Sequence, residues 1–248
     1  MGNIVSEVVR KKEIAELPVS LVKKVVELGK IKTLDDKSKV KEARALLRKY
    51  FSVFMSNKLM KGKIGEEEIL KKHISTKQRD YQKLYKRILK DEKTIIDFGA
   101  GLNGFSYKYI NKFSNAKYIA VEAIKRFVDL MNNYFSKHNF NAAAYWGDLF
   151  DIEKISKIVR NTEEKRIVFM FNIIDALEVI ERDYSKKLIC CLAEEIDKFV
   201  LSFPTKSLSG KKKFNVNRKW ILDFLEKNFE ILDDFETNGE RFIVFRKN

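Results

Sequence analysis

The chain has 248 residues, 45% of them hydrophobic and 12% aromatic, with only 2 prolines and 10 glycines, a composition that supports a buried core and excludes disordered, collagen-like or linker-dominated chains. Its 50 lysines and arginines outnumber 35 acidic residues, for a formal charge of +15. No apolar run reaches the roughly 20 residues a membrane-spanning helix needs, and Met1 to Glu16 lacks the apolar stretch and cleavage site of a leader, so a cytoplasmic protein with no membrane partner is expected.

The charge is uneven. Residues 1–90 hold 24 basic and 11 acidic side chains, and the remainder holds 26 and 24. A basic module beside a nearly neutral one suits a polyanion, because each neutralised phosphate releases counterions. The first 90 residues read as helical throughout. Ile4, Val5, Val8 and Val9 recur at helical spacing, as do Leu21, Val22, Val25, Val26 and Leu28. Pro18 marks a helix start and Gly29 a stop. Asp35 and Asp36 open a further helix through Ala43, Leu46, Leu47, Tyr50, Phe51 and Phe54. Gly62 and Gly65 break the pattern, Glu66 to Glu68 favour a new helix start, and Tyr81, Leu84, Tyr85, Ile88 and Leu89 continue the helical spacing. The Tyr81–Tyr85 pair at i, i+4 is expected to pack in the core rather than to stack a base.

From residue 94 short apolar runs alternate with helical stretches. Strands are expected at Thr94–Phe98, Lys117–Val121, Ala142–Trp146, Arg166–Phe171, Lys198–Phe203, Phe229–Phe235 and Arg241–Arg246. Helical patterns fill the first five gaps, which implies a mostly parallel sheet. Thr237-Asn238-Gly239 is a hairpin signal, so the last strand should run antiparallel. Five β-α units and an antiparallel hairpin describe an α/β fold: the Rossmann-like, seven-stranded sheet of class I methyltransferases dependent on S-adenosylmethionine (SAM), here preceded by an α-helical domain. The expected division is 1–90, a basic RNA-binding domain, and 91–248, the methyltransferase domain. Removing the first 60 residues should then leave cofactor binding nearly intact.

Asp97-Phe98-Gly99-Ala100-Gly101-Leu102-Asn103 follows the first strand and opens a helix, where glycines allow close approach of backbone to ligand. We read it as Asp-x-Gly-x-Gly, the first motif of SAM enzymes, rather than as a dinucleotide fingerprint. Glu122, followed by Ala123, ends the second strand, where an acid accepts from ribose hydroxyls in doubly wound folds. Asp148 follows the third strand, placed to accept from an adenine amine with Leu149 against the ring. Three acids at three successive strand ends make SAM the expected cofactor.

The fourth strand ends in Asn172-Ile173-Ile174-Asp175, without the prolines and aromatic residue that orient an exocyclic amine for methylation. Cys190 and Cys191 lie in an amphipathic helix and read as buried core, not as the nucleophile of a C5 methylation. With two histidines, His73 and His138, they also lack the spacing of a zinc site, so no metal is expected. A substrate already nucleophilic, such as guanine N7, needs orientation and no general base.

His73-Ile74-Ser75-Thr76-Lys77-Gln78-Arg79, Gly99-Ala100-Gly101-Leu102-Asn103 and Ser202-Phe203-Pro204-Thr205-Lys206-Ser207-Leu208-Ser209-Gly210 together resemble the aminoglycoside-resistance 16S rRNA (guanine-N7) methyltransferases. Gln78, Ala100 and Gly104 depart from that family's Glu, Cys and Pro. The resemblance implies that Arg79 binds the cofactor carboxylate, that Gly99 to Gly101 cradle its methionine part with Asn103, Asn172 and Ile173 nearby, and that Glu122 takes the ribose. It places the 202–210 loop beside a flipped guanine. Lys206, Ser207, Lys211, Lys212, Lys213 and Arg218 form the C-terminal domain's basic cluster and are expected to contact RNA phosphates. The implied partner is ribosomal RNA on the small subunit, bound by a monomer. A tRNA methyltransferase and a non-catalytic RNA-binding or ribosome-assembly protein with a vestigial pocket remain alternatives.

Overall fold

The computed structural model describes residues 2–51, 65–72, 79–112, 114–205 and 218–248. Helix α1 (Gly2–Val9) is followed by α2 (Val19–Val26), α3 (Gly29–Lys32) and α4 (Asp36–Tyr50), then by α5 (Glu66–Lys72) and α6 (Tyr81–Ile88). Capping starts α4 and α6: Asp35 accepts from the Ser38 N–H at 3.1 Å and Asp80 from the Lys83 N–H at 3.2 Å. Pro18 caps α2 as expected, but Gly29 opens α3 instead of ending a helix. Its φ stays in the ordinary range, so the freedom that makes glycine a helix stop is not used.

The strands follow: β1 (Thr94–Phe98), β2 (Lys117–Glu122), β3 (Ala142–Trp146), β4 (Arg166–Phe171), β5 (Lys198–Pro204), β6 (Phe229–Thr237) and β7 (Glu240–Lys247). A 3₁₀ turn at Asn103–Ser106 and α7 (Tyr107–Ile110) join β1 to β2, and α8 (Lys125–Lys137) joins β2 to β3. Helices α9 (Ile152–Arg160), α10 (Ile174–Ile180), α11 (Tyr184–Leu192) and α12 (Lys219–Asn228) complete the connections. The sheet order is β3-β2-β1-β4-β5-β7-β6, parallel from β3 to β5, with β7 antiparallel to both β5 and β6. Asn238 (φ 52°) and Gly239 (φ 81°) make the β6–β7 turn with two positive φ angles, the conformation for which Asn-Gly is selected. This is the class I SAM-dependent methyltransferase fold.

Period-two alternation sends successive strand residues to opposite faces. Ile95, Tyr118, Phe169 and Phe242 pack under α1 to α8, whereas Ile96, Val121, Val168 and Phe245 pack against α9 to α12. One apolar cluster therefore runs unbroken from Val5 and Leu21 in the first helices to the sheet. The edge strand β3 is closed by Asn132 of α8, whose side chain accepts from Ala144 N at 2.8 Å and donates to Ala144 O at 2.9 Å. Among the described residues, no helix is long and apolar enough to cross a membrane.

The sequence places the cysteines in the core, and the structure corrects this. Tyr184, Ser185, Leu188, Ile189 and Leu192 form the buried stripe of α11, and Cys190 and Cys191 fall on its exposed side. Tyr81 and Tyr85 are buried, stacked on Tyr109 and Phe169 respectively.

Candidate functional site

The strand order reverses between β1 and β4, and a cleft of about 930 Å³, open mouth included, lies at the carboxyl edge there. All twelve residues that the sequence assigns to the cofactor line it: Arg79, Asp97, Gly99, Ala100, Gly101, Asn103, Glu122, Ala123, Asp148, Leu149, Asn172 and Ile173. The chain turns sharply after β1, with φ of +63° at Gly99 and +54° at Gly101. A Cβ on Gly99 would stand 1.9 Å from Ile173 Cδ1, whereas one on Gly101 would meet open space. Glycine is thus required at 99 for contact and conformation, and at 101 for conformation alone. Gly99, Gly101 and Gly104 also satisfy Gly-x-Gly-x-x-Gly, so glycine spacing does not separate a SAM site from a dinucleotide site here. The acids at the strand ends carry the distinction.

Asp97 is buried, and its Oδ2 accepts from Asn103 Nδ2 at 2.7 Å and Tyr118 OH at 2.6 Å. Burial pushes its carboxyl up to about 6, against the pull of those two donors. Glu122 Oε2 accepts from the Gly101 N–H at 2.7 Å and Oε1 from the Ile124 N–H at 2.8 Å. Burial again dominates and raises this carboxyl to about 7. Near neutrality Glu122 is therefore shared between proton and carboxylate, whereas Asp97 is mostly carboxylate. A hydrogen-bonding or cationic ligand would draw them to the charged form. Asp148 Oδ1 accepts from the Phe150 N–H at 3.0 Å, and Oδ2 from Ser20 Oγ at 2.7 Å.

Arg79 lies over the Phe171 ring at 4.8 Å, with Nη1 donating to Asn103 Oδ1 at 3.3 Å. Burial opposes its charge most, but the Glu240 carboxylate, through its charge and its hydrogen bonds, acts together with Tyr81 and Tyr85 to outweigh burial, so the guanidinium pKa lies above its ordinary value. Asn172 holds a left-handed backbone, φ 57°, at the end of β4. Its N–H donates to Ser202 O at 3.1 Å, and its buried Oδ1 has no partner among the described residues.

Sequence reasoning missed the contribution of the first helices to this site. Leu21 of α2, Tyr50 of α4 and the following Phe51 line the cleft. Ser20 bonds Asp148, and the Glu16 carbonyl accepts from Trp146 Nε1 at 3.1 Å and from Lys125 N at 2.9 Å. These contacts argue against the expectation that removing residues 1–60 leaves cofactor binding nearly intact, because part of the cleft wall would go with them. No local pattern announces these contacts, because Leu21 and Phe51 read as ordinary core positions.

The expected RNA contacts divide. Lys206, Ser207, Lys211, Lys212 and Lys213 lie outside the described residues, as do His73 to Gln78. Arg218 is described, and it is not displayed toward a phosphate. Its side chain is 4% exposed, Nη2 donates to Asp175 Oδ2 at 2.5 Å, and the guanidinium lies 4.7 Å from the Phe203 ring centre. Adjacency to lysines in sequence suggested a basic surface. The burial of Ile221 and Leu225 turns the start of α12 inward and takes Arg218 with it.

No protein-family model and no curated protein sequence matches the chain. Solved structures do. The 16S rRNA methyltransferase RmtF, in complex with S-adenosyl-L-homocysteine, aligns with a TM-score of 0.79 at 18% identity, covering 100% of this chain and 98% of its own. An rRNA methylase from Escherichia coli gives 0.76 at 16% identity, over 100% and 99% of the two chains. The 16S rRNA methylase RmtB gives 0.75 at 16% identity, over 100% and 98%. From its N-terminal helices to its antiparallel last strand, the chain has the fold of these rRNA methyltransferases.

Proposed function

We propose that this protein is a SAM-dependent RNA methyltransferase whose target is a guanine N7 in small-subunit ribosomal RNA. The observation that carries this reading is the convergence of Asp97, Glu122 and Asp148, from the ends of three successive strands, on one cleft in a fold shared over its whole length with 16S rRNA methyltransferases. In this reading Arg79 takes the cofactor carboxylate and Asp97 its ammonium group. The Gly99-Ala100-Gly101 turn lets the backbone approach the methionine portion, with Asn103, Asn172 and Ile173 completing that end. Glu122 and Ala123 hold the ribose, and Asp148 and Leu149 hold the adenine. The residues present fit the group: the space in front of Gly101 is open to a ligand, and the two acids expected at the ammonium and ribose are buried in the cleft wall, with their carboxyls raised by burial to about 6 and about 7.

When bound, SAM supplies an electrophilic methyl group on a sulfonium. The chain supplies orientation and water exclusion, since a guanine N7 lone pair attacks without losing a proton. Two placements support direct attack by the substrate, without a protein base or a covalent intermediate. Asp175, the acid of the segment after β4, is held by Arg218, and Cys190 and Cys191 lie on the exposed face of α11. The basic residues of 1–90 serve RNA docking, residues 91–248 carry the chemistry, and a monomer acts on the cytoplasmic small subunit. The test is transfer of labelled methyl from SAM to small subunits, large subunits and tRNA in parallel, followed by borohydride and aniline treatment. Cleavage of small-subunit RNA at one position is expected. Methyladenine, methylcytidine or a ribose methyl in the product would overturn the target assignment, and transfer to tRNA alone would overturn the substrate.

A further inference from the structure

β7 runs against its neighbours, so it begins where they end. Its first residue, Glu240, pairs with Pro204 at the end of β5, which sets an acid at the carboxyl edge of the sheet. Glu240 is buried and stands off the cleft wall, behind Arg79, which is on it. The two form a fork: Arg79 Nε donates to Oε2 at 2.8 Å and Nη2 donates to Oε1 at 2.7 Å. The same Oε1 accepts from Asn172 Nδ2 at 2.9 Å and Ser202 Oγ at 2.5 Å. Donors from β5, from the residue after β4 and from the segment before α6 thus meet on one carboxylate.

Neutralising a buried arginine requires only the ion pair; this arrangement also fixes direction. Bidentate pairing sets the plane of the guanidinium, and Asn172 and Ser202 set the plane of the carboxylate. Phe171 packs on the guanidinium face at 4.8 Å. Glu240 takes the Nε–Nη2 edge of the fork, and the Nη1 end is turned to Asn103 Oδ1, whose amide in turn donates to Asp97. The Nη1 end is therefore held beside the acid expected to meet an ammonium group. A cation and an anion linked through one asparagine side chain offer partners to the carboxylate and the ammonium of a free amino-acid end.

We propose that Glu240 is a positioning residue for cofactor recognition, orienting Arg79 so that its Nη1 end meets the carboxylate of an adenosyl amino acid. The proposal rests on the SAM reading and makes a narrower claim: Glu240 acts on one end of the ligand and not on the nucleoside. The probes are S-adenosylhomocysteine and its decarboxylated analogue, titrated calorimetrically into the full chain and into Glu240→Gln, which keeps size but breaks the fork. The variant is expected to bind S-adenosylhomocysteine about tenfold more weakly and the decarboxylated analogue within about twofold of wild type, so that preference for the carboxylate collapses. Ser202→Ala, which removes one support of Glu240 and leaves the ion pair, should move the same ratio in the same direction by a smaller factor. It also serves if Glu240→Gln fails to fold. Equal weakening of both ligands, or unchanged preference in the folded variants, would overturn the proposal by reducing Glu240 to a core ion pair. Failure of the wild-type chain to bind either ligand would overturn the cofactor reading itself, and the role of Glu240 with it.

Discussion

Acidification is expected to weaken cofactor binding chiefly through one side chain, Glu122. Burial holds its carboxyl at about 7, against the opposing pull of the Ile124 and Gly101 N–H groups. The proposed role, accepting from ribose hydroxyls, calls for the carboxylate, so an ionised Glu122 is expected in the complex, and binding below neutrality would then expel its proton. With full ionisation in the complex, Kd should rise about thirtyfold from about pH 8 to about pH 5.5, or roughly 2 kcal/mol. Folding carries the opposite sign. Between the ordinary value of 4.5 and about 7, the native state holds a proton that the unfolded chain has lost. The resulting stabilisation is complete below the unfolded pKa and declines as pH rises through about 7. Asp97, raised by burial to about 6, adds to the acid end of both slopes. Calorimetry with S-adenosylhomocysteine in two buffers of different ionisation enthalpy reads affinity and proton release together, and melts of the ligand-free protein read the stability slope. A Kd that stays flat over this range, or a pH slope that Glu122→Gln leaves unchanged, would refute the reasoning.

Gly99→Ala should lower stability by about 2–3 kcal/mol, from a left-handed alanine and from displacing Ile173, and adding Ile173→Ala should recover roughly 1 kcal/mol in denaturant melts. Ser20→Ala should weaken S-adenosylhomocysteine binding by about 1 kcal/mol through the loss of its bond to Asp148. Deleting residues 1–51 should cost at least about tenfold in the same titration, and wild-type affinity in the truncated chain would contradict a shared site. Arg218→Ala should reduce stability by about 2 kcal/mol, with no change in the salt dependence of RNA binding; a shallower salt slope would return Arg218 to the RNA surface.

The legible part of the fold followed from local rules. Short apolar runs bounded by turn residues located all seven strands to within two residues at each end, and Asn238-Gly239 announced the antiparallel hairpin. The cleft residues at the strand ends were legible for a related reason. In a doubly wound sheet the carboxyl ends of the parallel strands border the ligand crevice, so locating the strands locates Asp97, Glu122, Asp148 and Asn172 as well. Arg79 came from a resemblance to a motif, because it lies in an irregular segment with no periodicity to read.

Burial direction was less legible. Cys190 and Cys191 lie within an apolar helix, and composition placed them inside. One hundred degrees per residue turns them outward once Leu188, Ile189 and Leu192 face the sheet. Arg218 made the converse error, since a cation beside lysines reads as surface until the packing of α12 carries it under Phe203.

The sequence by itself determined the strands, their order of use and the set of side chains offered at the carboxyl edge, because each depends on residues within a few positions of one another. Only the tertiary structure decided what those side chains meet. Ser20 reaches Asp148 across 128 positions and Glu240 reaches Arg79 across 161, pairings that no local pattern encodes. They form because one apolar cluster draws the first helices onto the sheet, and because the antiparallel last strand starts at the edge where its parallel neighbours end.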